Sequence, residues 1–128
     1  MKLQKIYLKN YRNYDDILLE FNNNLNIIIG DNAQGKTNLL ESIYVLAVTK
    51  SFLSISDKNL INFNSRYSMI KGIVDYNGSY DELELLINDN GLLIKLKLSS
   101  YFLFSLVNKY FKNSGKNSLK SNIFSSFI

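Results

Sequence analysis

The amino-acid sequence predicts an α/β fold in which a mixed sheet with an antiparallel meander surrounds one helix. Apolar and polar residues alternate in several short segments, which is the pattern of strands with one buried face. One longer segment, residues 39–47, has apolar residues at intervals of three and four, the spacing of one helix face. Two Asn-Gly pairs, at residues 77–78 and 90–91, follow such alternating segments and favour tight hairpins.

Two strands are predicted before the helix. Residues 2–9 and 17–21 form the strands, with a polar and aromatic bend at residues 10–16 between them. The asparagines at 22–24 then lead into an apolar run at residues 25–29, which is typical of a buried strand. Because two strands precede the first helix, the pattern differs from a doubly wound fold, where strands and helices alternate from the start.

The segments after the helix predict the meander. Residues 58–63 are consistent with a short helix or a strand, whereas residues 67–76, 83–87 and 92–98 have the character of strands. The core is predicted where apolar character and local period agree. Its predicted members are Ile27, Ile29, Leu39, Ile43, Leu46, Ile73, Val74, Leu83, Leu85 and Ile87.

The apolar run and the helix are separated by a glycine-containing loop with the spacing G-x-x-x-x-G-K-T. This spacing is that of a phosphate-binding loop, in which the glycines let backbone amides turn towards phosphate oxygens. The plain structural alternative is a polar turn between a core strand and a core helix. The flanking strand and helix favour phosphate binding, because they direct a helix N-terminus at the anion. The predicted phosphate-binding residues are Gly30, Asp31, Asn32, Ala33, Gln34, Gly35, Lys36 and Thr37, with Thr37 also a Mg²⁺ ligand.

Composition excludes several classes of protein. The 128 residues contain no cysteine, so disulfides and thiolate metal sites are excluded. The N-terminus lacks the pattern of a secretory signal and no apolar run is long enough to cross a membrane, so we expect a cytoplasmic protein. The net charge of +4 comes from the C-terminal part, because residues 1–89 carry nine basic and eleven acidic side chains. Overall basicity is therefore no argument for DNA binding.

The chain changes character in its last third, and we divide it into residues 1–91 and a basic tail, 92–128. Residues 99–128 contain no acidic side chain, and their apolar residues come in a block without a polar face. One interpretation is a hydrophobic helix that packs on the rest of the domain. The other is a segment that was not selected to fold, as in an out-of-frame or truncated product.

Several separated segments resemble the RecF family of bacterial recombination-repair proteins. They are LKNYRNY at residues 8–14, GDNAQGKTNLLESIY at 30–44, KSF at 50–52 and D-x-x-L-I-x-F at 57–63. This family belongs with the SMC-like ATPase heads of the ABC class. The resemblance covers residues 1–91 and implies the first lobe of such a head, without the rest of it.

The resemblance also implies a function. Such heads bind ATP and Mg²⁺, form a homodimer, and act on double-stranded DNA at single-strand gaps, where recombination mediators load RecA. Carried over by position, Gly30 to Thr37 hold the triphosphate, and Arg12 and Asn13 lie beside the nucleotide. Leu53 stands where the family usually has an arginine. The resemblance therefore implies no contact with DNA or nucleotide from that position.

Two elements of a complete ATPase head are not visible in residues 92–128. These are the apolar strand that ends in acidic residues and the Ser-Gly signature segment that caps ATP on the partner head. The sequence therefore predicts a partial head. The competing interpretation is a truncated, non-catalytic nucleotide-binding fragment, and a small stand-alone kinase is disfavoured by the strand pair that precedes the loop.

Overall fold

The structure, a computed structural model, describes residues 2–31, 35–53 and 56–97. These residues form one five-stranded sheet, one α-helix and one short 3₁₀ helix. The elements are β1 Lys2–Tyr11, β2 Tyr14–Glu20, α1 Lys36–Val48, the 3₁₀ helix Asp57–Leu60, β3 Tyr67–Tyr76, β4 Ser79–Asn88 and β5 Gly91–Lys97. The strand order is β2-β1-β3-β4-β5, and every neighbouring pair is antiparallel.

Tight turns connect β1 to β2, β3 to β4, and β4 to β5. The Asn77-Gly78 pair forms the β3–β4 turn with positive φ at both residues, 51° and 81°, so this predicted hairpin is confirmed. The predicted hairpin between β4 and β5 is also confirmed, and Gly91 there has a φ of 116°. The bend between β1 and β2 is only two residues long, Arg12 and Asn13, because Tyr11 and Tyr14 already pair across the hairpin.

Helix α1 covers one face of the sheet, and the core lies between them. Alternate residues of β1, β3 and β4 are buried on this face, as the alternating sequence predicts. Gly72 of β3 lies directly under the helix, and a Cβ added there would come within 2.3 Å of Leu46 Cδ2. The absence of a side chain at Gly72 therefore lets α1 approach the sheet closely.

Most of the predicted core is confirmed, but the predicted loop strand is wrong. Leu39, Leu46, Val74, Leu83, Leu85 and Ile87 are buried, and Ile43 and Ile73 are half-buried. Residues 25–29 form no strand, and Ile27 and Ile29 are 72% and 88% exposed. The physical reason is pairing: residues 25–29 pair with none of the described strands, and an apolar run without a neighbouring strand has no partner for its backbone hydrogen bonds.

The segment after α1 returns the chain to the sheet through the 3₁₀ helix. Leu60 is buried, and Ile61 forms an isolated bridge with Tyr11.

Residues 98–128, which hold most of the predicted tail, lie outside the described residues, and the division at residue 91 stays a prediction. In the part of the chain that the structure describes, no helix is long and apolar enough to span a membrane.

Candidate phosphate-binding site

The N-terminus of α1 is open to an anion. Gly35 precedes the helix with a φ of 99°, a conformation that favours glycine. No side chain among the described residues caps this end, and its first turn contains no acidic residue. The first amides of a helix have no partner within the helix and carry the positive end of its dipole. This end can therefore accept a negatively charged group.

The side chain of Lys36 lies over the beginning of the loop. Its Nζ donates hydrogen bonds to the carbonyl oxygens of Gly30 and Asp31, the latter at 2.8 Å. The ammonium group is thus held at the beginning of the loop, where a phosphate group would compete for the same donors. Thr37, on the first turn of α1, is exposed. These residues fit a phosphate group, and the hydroxyl of Thr37 fits a hard cation such as Mg²⁺.

The tip of the β1–β2 hairpin packs against this helix end. The carbonyl oxygen of Gly35 accepts a hydrogen bond from the Tyr14 hydroxyl at 3.1 Å, and Asn38 Nδ2 donates to Asn13 Oδ1 at 2.8 Å. A Cβ at Gly35 would lie 2.7 Å from Asn13 Nδ2. Gly35 is therefore required both for its backbone conformation and for the close approach of Asn13.

Arg12 is held by a buried carboxylate of the same helix. Its Nε donates to Glu41 Oε2 at 2.9 Å and its Nη2 donates to Glu41 Oε1 at 2.8 Å, which makes a bidentate ion pair. Glu41 is fully buried, and it also accepts hydrogen bonds from the hydroxyls of Tyr11 at 3.1 Å and Ser51 at 2.5 Å. The backbone N–H of Arg12 donates to the carbonyl oxygen of Leu60. The hairpin tip is thereby fixed to both α1 and the 3₁₀ helix.

These contacts set the ionisation of the cluster. Burial alone would raise the pKa of Glu41, but the hydrogen bonds from Arg12, Ser51 and Tyr11 and the charge of Arg12 outweigh it and lower that pKa. Burial and the adjacent Glu41 carboxylate raise the pKa of the Tyr11 hydroxyl. Glu41 is therefore an ionised acceptor, and Tyr11 stays a neutral donor.

The structure brings together most of the residues predicted for this site. Gly30, Asp31 and Lys36 are in contact, and Asn13 lies against Gly35. Asn32, Ala33 and Gln34 lie outside the described residues. Whether any of these side chains binds a nucleotide stays a prediction.

Sequence reasoning missed Glu41 and Ser51. A signal was present, because Glu41 is four residues before Val45 and so shares the buried stripe of α1. A charged residue in a buried stripe needs a partner of opposite charge, and Arg12 in the preceding bend is such a partner.

Arg12 also lines an open groove of about 460 Å³. Lys58, Asn62 and Phe63 line the same groove, and Phe63 is 99% exposed. Charged, amide and aromatic side chains therefore meet next to the hairpin tip.

Comparison with known protein families shows the class of this domain. The AAA ATPase domain family, AAA_15, matches residues 1–126. The DNA replication and repair protein RecF of Staphylococcus haemolyticus (strain JCSC1435) is 57% identical over 74 residues, which are 58% of this chain and 20% of that protein. RecF of Staphylococcus carnosus (strain TM300) is 56% identical over 72 residues, again 20% of its length. The chain thus spans about a fifth of the length of these curated relatives.

Solved structures agree with this comparison. A structure of the recombination mediator protein RecF with ATPrS, in the RecFOR pathway, has a TM-score of 0.70 and 36% identity, covering 77% of this chain and 28% of the other. The SMC head domain from Thermotoga maritima has a TM-score of 0.59 at 22% identity, covering 86% and 42%, and supports the fold alone. The predicted ABC-type head and the predicted resemblance to the N-terminal part of RecF are confirmed. The chain belongs to the AAA ATPase domain family.

Proposed function

We propose that this chain is the nucleotide-binding first lobe of a RecF-like DNA replication and repair ATPase. The observation that carries the proposal is the uncapped N-terminus of α1 with Lys36 folded over the carbonyl oxygens of Gly30 and Asp31. The ligand proposed is ATP with Mg²⁺. The similarity to RecF supports this assignment over the alternative of a non-catalytic nucleotide-binding fragment.

Each loop residue has a proposed role. The backbone amides of residues 31–34 donate to the phosphates, and Lys36 leaves its carbonyl partners to neutralise phosphate charge. Thr37 supplies a hydroxyl ligand for Mg²⁺, which when bound neutralises further charge on the triphosphate. Arg12 and Asn13 lie beside the same helix end and contact the bound nucleotide from the hairpin side.

The proposed role of the complete protein follows its relatives. RecF is named as a DNA replication and repair protein and as a recombination mediator in the RecFOR pathway. We propose that the complete protein forms a homodimer on ATP binding, acts in the cytoplasm on double-stranded and single-stranded DNA at gaps, and works with recombination mediators that load RecA. This chain contributes the phosphate loop to that assembly.

Replacement of Lys36 tests the proposal. We expect Lys36→Ala to lower the affinity for a fluorescent ATP analogue by roughly 10- to 100-fold, because a charge-assisted hydrogen bond is worth about 1.5–3 kcal/mol. Fluorescence titration of both proteins in the presence of Mg²⁺ measures this. Lys71→Ala is the matched control, because Lys71 pairs with Glu82 on the sheet and loses the same charge. Equal affinities of the original chain and Lys36→Ala would overturn the proposal.

A further inference from the structure

The Glu41 carboxylate is the meeting point of three separate segments. Arg12 and Tyr11 reach it from the end of β1, and Ser51 reaches it from the segment after α1. Burying an ion pair is costly, and apolar side chains of similar volume often stabilise a fold equally well or better. The stability of the fold is therefore a weak explanation for a fully buried glutamate at this place.

The ion pair fixes the orientation of the Arg12 guanidinium. The contact with Glu41 uses Nε and one N–H of Nη2, and because the group is planar its remaining N–H donors are directed away from the carboxylate. The side chain of Arg12 is 20% exposed and lines an open groove, so part of this side chain reaches the surface.

The hairpin tip that carries Arg12 also contacts the start of α1. Glu41 is four residues after Thr37 on α1, so the two share one side of the helix about 6 Å apart along its axis. Asn13, the neighbour of Arg12, contacts Asn38 on the first turn. The hairpin tip that carries Arg12 therefore packs against the helix end that is proposed to receive the anion.

From this geometry we infer that Glu41 is a positioning residue: it holds the Arg12 guanidinium in the orientation that presents its free donors to the nucleotide phosphates. The inference rests on the proposed function, because it needs ATP at the loop. Ser51 and Tyr11 donate to Glu41 and fix its orientation in turn.

A double-mutant cycle tests this role. Glu41→Gln keeps the shape of the side chain but removes its charge. Arg12→Lys keeps the charge but removes the planar guanidinium that makes two hydrogen bonds. In the full 128-residue chain, we expect each single change to lower the affinity for ATP on the order of tenfold. The double variant should lose no more affinity than either single variant, because both changes disrupt the same Arg12–Glu41 ion pair. The ratio of ATP to ADP affinity should fall in all three variants, which loss of stability alone would not produce.

Two controls separate positioning from general destabilisation. Glu82→Gln makes the same chemical change in the ion pair with Lys71 and should leave ATP affinity unchanged. Leu85→Ala lowers core stability away from the loop, and at a temperature where all variants are folded it should also bind ATP normally. A loss of affinity in Leu85→Ala equal to that in Glu41→Gln would overturn the inference.

The outcomes distinguish the inference from the proposed function. If Glu41→Gln binds ATP like the original chain while Arg12→Lys and Lys36→Ala do not, Glu41 has only a structural role and the proposed function stands. The inference is equally overturned if Glu41→Gln and Arg12→Lys both bind normally while Lys36→Ala does not. If Lys36→Ala also binds normally, the proposed function itself fails.

Discussion

Arg12 and Glu41 form one ion pair, but the two side chains are buried to different extents. The Glu41 side chain is fully buried, whereas that of Arg12 is 20% exposed. The cost of breaking such a pair depends on the charge that is left behind in the protein. A glutamate without Arg12 would remain buried, while an arginine without Glu41 can turn towards water.

We therefore predict that Arg12→Ala is more destabilising than Glu41→Gln. Arg12→Ala should lower the free energy of unfolding by about 3–5 kcal/mol, the range measured when one partner of a buried pair is removed. Urea unfolding followed by circular dichroism would measure both variants. An equal or larger loss of unfolding free energy in Glu41→Gln would contradict the prediction. It would show that leaving the carboxylate buried without its partner is not the larger cost.

A second prediction concerns acid. The pKa of Glu41 in the folded chain is lowered from its usual 4.5, so its ionised form stabilises the fold above the unfolded value, and this stabilisation is lost as the pH falls through the folded value. The difference in unfolding free energy between the original chain and Glu41→Gln should therefore be constant near neutral pH and shrink below about pH 4.5. A difference that stays constant down to the acid unfolding of both chains would contradict this linkage.

At the scale of elements, the fold depends on the close contact between α1 and β3. The helix presents Leu46 to the sheet exactly where β3 has no side chain, at Gly72. Leu3 Cδ1 would also lie 3.3 Å from an added Cβ. A larger residue at this position must displace packed side chains.

We predict that Gly72→Ala lowers the free energy of unfolding by about 1–3 kcal/mol, as expected for an overpacked core. Combining it with Leu46→Ala should cost less than the sum of the two single changes, because the smaller side chain makes room for the new methyl group. Thermal or urea unfolding of the three variants gives this comparison. Strict additivity would mean that Leu46 is not the side chain displaced.

The same scale shows what sequence reasoning could and could not predict. Local rules were sufficient for the Asn77-Gly78 hairpin and the helix after the phosphate loop, because the turn and the periodicity are encoded within a few residues. They failed at residues 25–29, since an apolar run becomes a strand only beside a partner, and pairing is a long-range property. The Glu41 cluster was missed for a related reason: its members come from positions 11, 12, 41 and 51.

At the scale of the molecule, the described residues form a helix packed on one face of a five-stranded sheet. Binding and hydrolysis of ATP need different groups. Binding requires the loop, whereas hydrolysis also requires a positioned water and stabilisation of the transition-state charge. The acidic strand and the signature segment that serve these purposes in ATPase heads are not visible in residues 92–128.

We therefore predict that this chain alone binds ATP without appreciable hydrolysis. A phosphate-release assay with Mg²⁺ should give the same background rate for the original chain and for Lys36→Ala. A steady rate that Lys36→Ala abolishes would contradict the prediction and would place a complete set of catalytic groups within the 128 residues.

The position of β1 in the sheet affects how the chain folds during its synthesis. Of the five described strands β1 is made first, but it is flanked on both sides, by β2 and by β3, and β3 begins at Tyr67. At a translation rate of about 5–20 residues per second, roughly 3–11 s pass between the synthesis of the last residue of β1 and that of the first residue of β3. During this interval the β1–β2 hairpin exposes the edge of β1 that later pairs with β3, together with the apolar face that includes Ile6 and Leu8. The nascent chain is therefore most prone to aggregation, and most in need of a chaperone, before α1 has a complete sheet to pack on.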